Sequence, residues 1–515
     1  MYWYISFLRP PPVSVPSTSK EIIITPQVAN DLRTELRYEP TSICYTWQRT
    51  SPPSSCTTPP QELTTFIPPQ STYKPIAIPL PPNVQIGESW RLGLFSPSTP
   101  SSASTSTSSK GKGKRRADVT GPSSGLLQLC EDSVDVLGVW SEGIQIVRPE
   151  GPSSGVIKGV NGRSHGTGTK GKGVDNGNDQ SGVKGKGKGK GKEKEKDDGP
   201  KQGRITRQFI LPSSLNGEEK ADEAGEEEGP WRMLRIIEQT SFDLDKKIWD
   251  SGLALSAWFW KYLAPTSDAS HTHPHEIARE VLDILRHTGE GDLDVLEIGS
   301  GTGLVSIALA LALQRQHTVP LSTPVPEKDR KQKRRRRIVA TDLDTAIPLM
   351  DENLSYNSLN PGPTSQLDNS STANGGDESG NDVQVEAKVL DWDQPLPEWV
   401  SSSWPQLVVA ADVTYNTSAF PSLLRTLTSL LSPRPPPSTR AEQNVKLQEN
   451  MDLDRPSTTP KSPLLILAYK QRDPAERELW GMLSSNGIEM TMIDKIQGAT
   501  DEGETELWVG QMKVA

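Results

Sequence analysis

The feature that most constrains the fold is a regular alternation of strand-like and helix-like apolar segments from residue 294 to residue 513. The pattern predicts strands at 294–298, 337–341, 385–390, 406–411, 464–469, 489–493 and 506–513, and helices at 304–314, 345–357, 419–431 and 474–484. Alternating strands and helices form a parallel sheet with helices on both faces. Only a loop joins the last two strands, so the final strand should run antiparallel. We therefore expect a doubly wound, mostly parallel, seven-stranded Rossmann-like α/β sheet.

The chain before this region has a different composition. Hydrophobic residues make up only 33% of the chain, which also contains 42 Gly and 44 Pro, so folded parts must alternate with segments that lack a core. Residues 1–150 form a Pro/Ser-rich region with a few islands of structure. These islands are a strand at 21–26, a short helix at 27–36 and a hairpin at 126–147, which would form an N-terminal accessory.

Residues 151–203 are rich in Gly and Lys, with a Lys-Gly repeat near their end. Such a segment cannot bury apolar surface, so it is predicted to be a disordered linker. The α/β domain would then occupy residues 204–515. Three polar stretches in this domain are predicted to be disordered surface insertions, near 314–335, 360–383 and 432–461.

Charge and cysteine content limit the environment and the partners. The net charge of −9 argues against nucleic acid as a partner. The three cysteines cannot form an even disulfide framework, which indicates a reducing compartment. Arg9 and several prolines interrupt the N-terminal apolar run, and no later run is long enough to span a membrane. We therefore expect a monomer located in the cytoplasm, with the nucleus as a further location. The basic run at 330–337 is a solvated insertion, a nuclear signal or an RNA-contacting patch, of which we favour the insertion.

The most informative string, at 295–304, is Val-Leu-Glu-Ile-Gly-Ser-Gly-Thr-Gly-Leu, which joins a strand to a helix. Its three glycines, which let the backbone turn sharply against a ligand, are Gly299, Gly301 and Gly303. A phosphate-binding loop would need a GxxxxGK[ST] pattern, and a dinucleotide fingerprint would need glycine at Leu304. The acidic-x-Gly-x-Gly-x-Gly form beginning at Glu297 instead resembles the signature of class I S-adenosylmethionine-dependent methyltransferases. The alternative is an accidental glycine turn.

The next predicted strand ends with a carboxylate, Asp342. A carboxylate at this strand end can accept hydrogen bonds from both ribose hydroxyls of a nucleoside. Its distance in sequence from the glycines exceeds the usual spacing of about 20 residues, because the insertion near 314–335 intervenes. Asp344 is a nearby alternative that would more simply cap the following helix. We favour Asp342.

Four further strings narrow the resemblance: Ile-Trp-Asp-Ser-Gly at 248–252, Lys-Val-Leu-Asp-Trp at 388–392, Ala-Ala-Asp-Val-Thr-Tyr at 410–415 and Tyr-Lys-Gln-Arg at 469–472. In this order and at these strand ends, they resemble the seven-β-strand protein-lysine methyltransferases that carry a DxxY motif. The resemblance covers residues 204–515 without the insertions. Nothing in 1–203 contributes to it.

The resemblance implies roles for individual residues. Those expected to bind S-adenosylmethionine are Trp249, Glu297, Gly299, Ser300, Gly301, Gly303, Asp342, Asp391, Trp392 and Ala411. Asp412 and Tyr415 would face the lysine of a protein substrate, with Asp412 orienting the amine rather than acting as an obligatory base. The absence of prolines in Asp-Val-Thr-Tyr disfavours planar amide or nucleobase nitrogens as acceptors.

Alternative functions remain open at this point. They are methylation of another protein nitrogen such as histidine, methylation of a small molecule, and an inactive cofactor fold that serves as an interaction module. The His-Thr-His-Pro-His string at 271–275 lacks accompanying Cys or Asp ligands and is predicted to be a loop without metal.

Overall fold

The structure is a computed structural model of the chain. It describes residues 2–52, 56–97, 121–126, 136–149, 200–212, 231–240, 243–264, 273–286, 292–315, 335–359, 383–433, 462–498 and 503–513. The linker and the three insertions predicted to be disordered lie outside these residues, apart from their edges.

The N-terminal part of the described chain is built from strands. They are β1 (Trp3–Arg9), β2 (Ser14–Pro16), β3 (Glu21–Ala29), β4 (Thr41–Ser51), β5 (Gln61–Phe66), β6 (Ile76–Pro79), β7 (Ser89–Phe95), β8 (Ser123–Gly125), β9 (Val136–Leu137), β10 (Val139–Ser141), β11 (Ile144–Val147), β12 (Arg204–Pro212) and β13 (Trp231–Gln239).

The remainder alternates strands with helices. The strands are β14 (Leu293–Ile298), β15 (Arg336–Asp342), β16 (Val383–Val389), β17 (Leu407–Ala411), β18 (Leu464–Tyr469), β19 (Ile488–Ile496) and β20 (Thr505–Met512). The α-helices are α1 (Asp250–Tyr262), α2 (Glu276–Arg286), α3 (Leu304–Arg315), α4 (Ile347–Tyr356), α5 (Glu398–Ser402), α6 (Phe420–Leu431) and α7 (Glu478–Ser485). None of the helices in the described part of the chain is both long enough and apolar enough to traverse a bilayer.

The seven C-terminal strands form one sheet in the order β16-β15-β14-β17-β18-β20-β19. Neighbouring strands are parallel except around β20, which runs antiparallel to both β18 and β19. The predicted doubly wound α/β sheet is therefore confirmed. One apolar cluster joins its first face to α1, α2 and α3, and another joins the opposite face to α6 and α7. Helix α3 is buried on all sides, which explains why its residues are apolar all round rather than along one stripe.

The N-terminal strands form a four-stranded sheet, β6-β3-β1-β9, and a nine-stranded sheet that contains β12 and β13. The N-terminal sheets have an apolar core of their own, separate from the two clusters of the α/β sheet. Its buried side chains come from both N-terminal sheets and include Ile5, Ile24, Trp47 and Leu92. Strands β12 and β13 lie within the span predicted for the α/β domain, yet β12 pairs with β10 of the N-terminal region.

One prediction for the N-terminal region is wrong. The helix expected at 27–36 does not form, because β3 continues to Ala29 by pairing with β1 and a tight turn follows. Burial of Ile24 and Val28 in the sheet outweighs the local helical preference. Residues 127–135 of the hairpin expected at 126–147 lie outside the described residues. Strands β10 and β11 each pair with β7 instead of with each other.

Two asparagines, one in helix α4 and one directly after it, attach the nine-stranded sheet to the α/β domain. The side chain of Asn353 accepts from Ile237 N at 2.8 Å and donates to Ile237 O at 3.1 Å. The side chain of Asn357 pairs in the same way with N and O of Arg235, at 3.0 and 2.7 Å. These asparagines satisfy backbone groups on the edge of β13, as a neighbouring strand would. Asn353 also donates to Thr302 O at 2.9 Å, next to the glycine-rich turn.

We predict that Asn353→Ala lowers the free energy of unfolding by roughly 2–4 kcal/mol, because it leaves several backbone groups without their partners. Chemical denaturation measures this loss, provided that the free energy of unfolding depends on denaturant concentration with the same slope in both proteins. The control is Ser355→Ala on the exposed face of the same helix, for which the change should stay within about 0.5 kcal/mol. Equal stability of the two variants would contradict the bridging role of Asn353.

Candidate functional site

A cavity of about 380 Å³ lies at the carboxyl ends of the central parallel strands. Its walls come from the turns that follow β14, β15, β16 and β17, and from residues around the start of α1. The chain runs from β14 to β15 and β16 on one side, whereas β17 and β18 lie on the other. The cavity therefore occupies the topological switch point, where open α/β sheets bind ligands.

The three glycines after β14 all adopt left-handed backbone conformations. Their φ angles are +64° at Gly299, +54° at Gly301 and +78° at Gly303. A Cβ at Gly299 would lie 2.8 Å from Cγ1 of Val413, and one at Gly303 would lie 2.9 Å from Cγ of Met350. Larger residues would thus be strained and would collide with their neighbours. Gly299 and Gly301 line the cavity. Gly303 is not among the lining residues and packs against α4.

A hydrogen bond joins the glycine turn to the end of the next strand. Gly301 N donates to Oδ2 of Asp342 at 2.8 Å, and Leu343 N donates to Oδ1 at 2.7 Å. Ser300 is tied to the same strand by two bonds with the backbone of Thr341, both 2.9 Å. The structure therefore brings Gly301 and Asp342 together at the floor of the cavity.

The Asp342 carboxylate has the character expected of a hydrogen-bond acceptor for a ligand. Burial raises its pKa, while the hydrogen bonds from Gly301 and Leu343 oppose this rise. An ionised carboxylate has about four acceptor positions, so two backbone donors leave capacity for two hydroxyls. Asp344, the alternative, is exposed, lies outside the cavity lining, and does not cap α4, whose N-cap residue is Ala346.

Glu297 lines the cavity, but its carboxylate is engaged inside the protein. It is 2% exposed, and Oε2 accepts bonds from the backbone N of Ser306, at 3.0 Å, and from its hydroxyl. Ser306 belongs to the first turn of α3, so the bond fastens the end of β14 to a helix N-terminus. Burial raises the pKa of Glu297 to about 7.

The turn after β16 contributes an indole and a carboxylate to one side of the cavity. Trp392 packs against the apolar cluster on that face and lies next to Gly299. Its carbonyl accepts a bond from Arg425 at 3.0 Å, and Asp391 Oδ1 accepts one from Asp393 N at 2.9 Å. Both residues line the cavity, where the indole face is available to a flat apolar ring.

Trp249, Ala411, Asp412 and Tyr415 complete the predicted set, and all of them line the same cavity. Trp249 precedes α1, and its indole Nε1 donates to the carbonyl of Leu244 at 3.0 Å. Tyr415 is 55% exposed at the rim. Partial desolvation and the charges of Asp342, Asp245 and Asp412 raise the pKa of Tyr415, so its phenol stays neutral at physiological pH.

Asp412 occupies an unusual position at the end of β17. Its φ of +60° is left-handed, although it is not glycine, and such backbone strain is common at functional sites. The side chain is 4% exposed, and both of its carboxylate oxygens accept bonds from the guanidinium of Arg472. That guanidinium also lies 5.3 Å from the centre of the Trp249 ring.

A group of buried charges that the motifs did not predict lies behind Asp412. Lys470 and Arg472, at the end of β18, contact three carboxylates: Asp31, Asp250 and Asp412. Asp31 comes from the N-terminal region, which showed no resemblance to any family. The sequence does contain a sign of this group, because two cations directly follow a buried apolar strand. Buried cations require anionic partners, so their position predicts carboxylates nearby.

The His-Thr-His-Pro-His string contributes nothing to the cavity lining. His273 is 1% exposed and its Nε2 lies 3.4 Å from Oδ2 of Asp494. It also packs against Trp258 and Tyr262. His271 lies outside the described residues.

Comparison with a family model provides independent support for the chemistry. Residues 230–449 match the family described as lysine methyltransferase. The matched segment includes every residue that lines the cavity. The match supports an enzyme of the S-adenosylmethionine-dependent methyltransferase class. Asp31, Lys470 and Arg472 lie outside the matched segment.

Other comparisons are more distant. No curated protein matches the chain. Similar solved structures include a precorrin-6y C5,15-methyltransferase from Geobacter metallireducens GS-15, at 10% identity over 46% of this chain and 88% of that one, with a TM-score of 0.23. They also include an rRNA methylase from Streptococcus thermophilus, at 8% identity over 47% of this chain and 100% of that one, with a TM-score of 0.25.

The buried Glu297 predicts a pH dependence of stability. The unfolded chain loses this proton near pH 4.5, whereas the folded protein keeps it until about pH 7. The free energy of unfolding should therefore fall as pH rises between these values, by about 3 kcal/mol at most. Glu297→Gln keeps the acceptor for Ser306 but cannot ionise, so it should become progressively more stable than the wild type across this interval.

Thermal unfolding of both proteins at several pH values measures the difference. Glu398→Gln, which removes an exposed carboxylate from α5, controls for the loss of one negative charge. A gap between wild type and Glu297→Gln that is constant from pH 4.5 to 7 would refute the assignment.

Proposed function

We propose that this methyltransferase transfers a methyl group from S-adenosylmethionine to the side-chain amine of a protein lysine. The main supporting observation is one cavity lined by a glycine cradle bonded to Asp342, by the buried Asp412 and, at its rim, by Tyr415. The description of the matching family, lysine methyltransferase, favours the same acceptor.

The residues present fit the cofactor. The turn at Gly299 and Gly301 lines the cavity with backbone in conformations that side chains would strain, and the partly buried Asp342 can accept bonds from ribose hydroxyls. The Trp392 indole suits adenine, and Trp249 would wall the methionine end. The volume of about 380 Å³ is in the range of pockets that enclose ligands of this size. When bound, S-adenosylmethionine supplies an electrophilic methyl group on a sulfonium.

The acceptor end is built to receive an amine. At pH 7 a lysine with a pKa near 10.4 is protonated, and forming the neutral nucleophile costs about 4.6 kcal/mol. Asp412 and the aromatic rings of Trp249 and Tyr415 would attract the cationic side chain. Bulk water would take its proton before transfer. Because Arg472 holds both oxygens of Asp412, we propose that this carboxylate orients the amine. The rate enhancement would then come from alignment of the nitrogen, the methyl group and the sulfur.

The motifs do not identify the protein substrate. Within the lysine methyltransferases, they most resemble the enzyme that acts on valosin-containing protein. This resemblance implies a run of acidic residues after Tyr415, and the chain does not have one. Instead, Asn416 caps a short 3-10 helix, Thr417–Ala419. Mass spectrometry of lysine methylation in cells with and without the gene would identify the substrate.

Asp342→Ala should weaken binding of S-adenosylhomocysteine about 10- to 100-fold, because charge-assisted hydrogen bonds to the ribose are lost. Isothermal titration calorimetry measures the affinity. Asp344→Ala, two residues away and outside the cavity lining, should bind as the wild type does. Equal weakening in both variants would contradict the assignment of Asp342. Binding of NAD in place of S-adenosylhomocysteine would contradict the cofactor.

Incubation of a cell lysate with tritiated S-adenosylmethionine should label protein, and hydrolysis of that protein should release methyl-lysine. Asp412→Ala should abolish the label while retaining measurable affinity for S-adenosylhomocysteine, because its side chain would face the amine. Label recovered as methyl-histidine or in small molecules would support the corresponding alternative acceptor. No transfer to any acceptor, despite cofactor binding, would favour an interaction module.

A further inference from the structure

A carboxylate from the N-terminal region contacts the guanidinium that holds Asp412. Asp31 lies two residues beyond β3, and its side chain is 0% exposed. Oδ2 contacts Nη2 of Arg472 at 2.8 Å, and Oδ1 lies 3.5 Å from Nζ of Lys470. Burial by itself would raise the pKa of Asp31, but Lys470 and Arg472 outweigh it and hold the pKa below its ordinary value. Asp31 is therefore a fixed anion.

Arg472 connects this anion to Asp412. One guanidinium contacts Asp31 through Nη2 and Asp412 through Nη1 and Nη2. Burial disfavours its charge, yet Asp412 and Asp31 together raise the pKa of Arg472. A planar guanidinium held by two carboxylates has little freedom to rotate. The orientation of the Asp412 carboxylate thus depends on a residue 381 positions earlier in the chain (412 − 31).

The loop that carries Asp31 is itself braced. The side-chain oxygen of Asn30 accepts from Thr34 N at 3.0 Å and from Glu35 N at 3.3 Å. Leu32 N donates to Oδ1 of Asp31 at 2.9 Å. These local bonds hold the loop in one conformation, so it presents Asp31 in a defined position.

A second set of hydrogen bonds also joins the N-terminal sheets to the α/β domain. Asp250 at the start of α1 accepts from the hydroxyl of Tyr4 in β1 at 2.6 Å and from Nζ of Lys470 at 2.6 Å. The N-terminal sheets are therefore also joined to Lys470 through Asp250.

We infer that Asp31 is a positioning residue of the methyl-transfer site, which acts on Asp412 through Arg472. The N-terminal sheets are thereby a structural part of the acceptor site rather than a separate module. The inference rests on the proposed function in one respect, namely that Asp412 faces the acceptor amine.

Asp31→Asn removes the charge with little change of shape. The turnover number for lysine methylation should fall about tenfold or more, because a small displacement of an orienting group is costly, while affinity for S-adenosylhomocysteine should stay within about twofold. The matched control is Glu88→Gln, another buried carboxylate of the N-terminal sheets, which accepts bonds from Arg49 and Trp90. It should lower stability without lowering turnover.

A double-mutant cycle with Arg472→Gln tests the route of the effect. If Asp31 acts through Arg472, Asp31→Asn should reduce turnover little further in the Arg472→Gln background. Multiplicative losses would overturn the inference. Asn30→Ala, which keeps the Asp31 charge but loosens its loop, should also reduce turnover. This variant replaces Asp31→Asn in the test if Asp31→Asn does not fold.

Hydrogen exchange separates this inference from the proposed function. The amide of Asp412 donates to the carbonyl of Ala468 at 3.1 Å. Asp31→Asn should accelerate exchange at residues 411–415 and leave the turn at 299–303 unchanged, whatever the substrate. Wild-type exchange at 411–415 in Asp31→Asn would overturn the positioning role. Accelerated exchange in a protein that methylates no lysine would contradict the proposed function alone.

Discussion

Parallel pairing of β14 with β15 on one side and with β17 on the other determines where the cavity lies. In this register Ile298 is opposite both Thr341 and Ala410. The residues that follow these three positions therefore lie at the same edge of the sheet. They include the glycine turn, Asp342 and Asp412. Because parallel strands all end at the same edge, side chains distant in sequence meet there. Every contact described for the site depends on this register.

Burial of charge is the second constraint. Three carboxylates, Asp31, Asp250 and Asp412, surround two cations, Lys470 and Arg472, with almost no access to solvent. Removing one member of such a group costs roughly 3–5 kcal/mol, because its partners are left uncompensated. The group cannot form until the N-terminal sheets have docked on the α/β sheet. Under the proposed function, this excess of carboxylates over cations would suit a cationic substrate side chain.

The α/β sheet was largely predictable, because long segments with strict periodicity determine their own secondary structure. The predicted strand at 464–469 coincides with β18, and the other predicted strand ends differ by three residues or fewer. The proximity of Gly301 and Asp342 followed from parallel topology alone. By contrast, the helix expected at 27–36 does not form. The start of this short segment takes its conformation from pairing with β1, which is distant in sequence.

By itself, the sequence determined the glycine turn, the order of the central strands along the chain and the residue types at their ends. These features follow from local backbone sterics and hydrophobic periodicity. Only the tertiary structure decided that Gly303 packs against α4 instead of lining the cavity and that Asp31 reaches Arg472. Each depends on the distance between atoms far apart in the chain. No local pattern encodes that distance, because it is set by how whole sheets pack together.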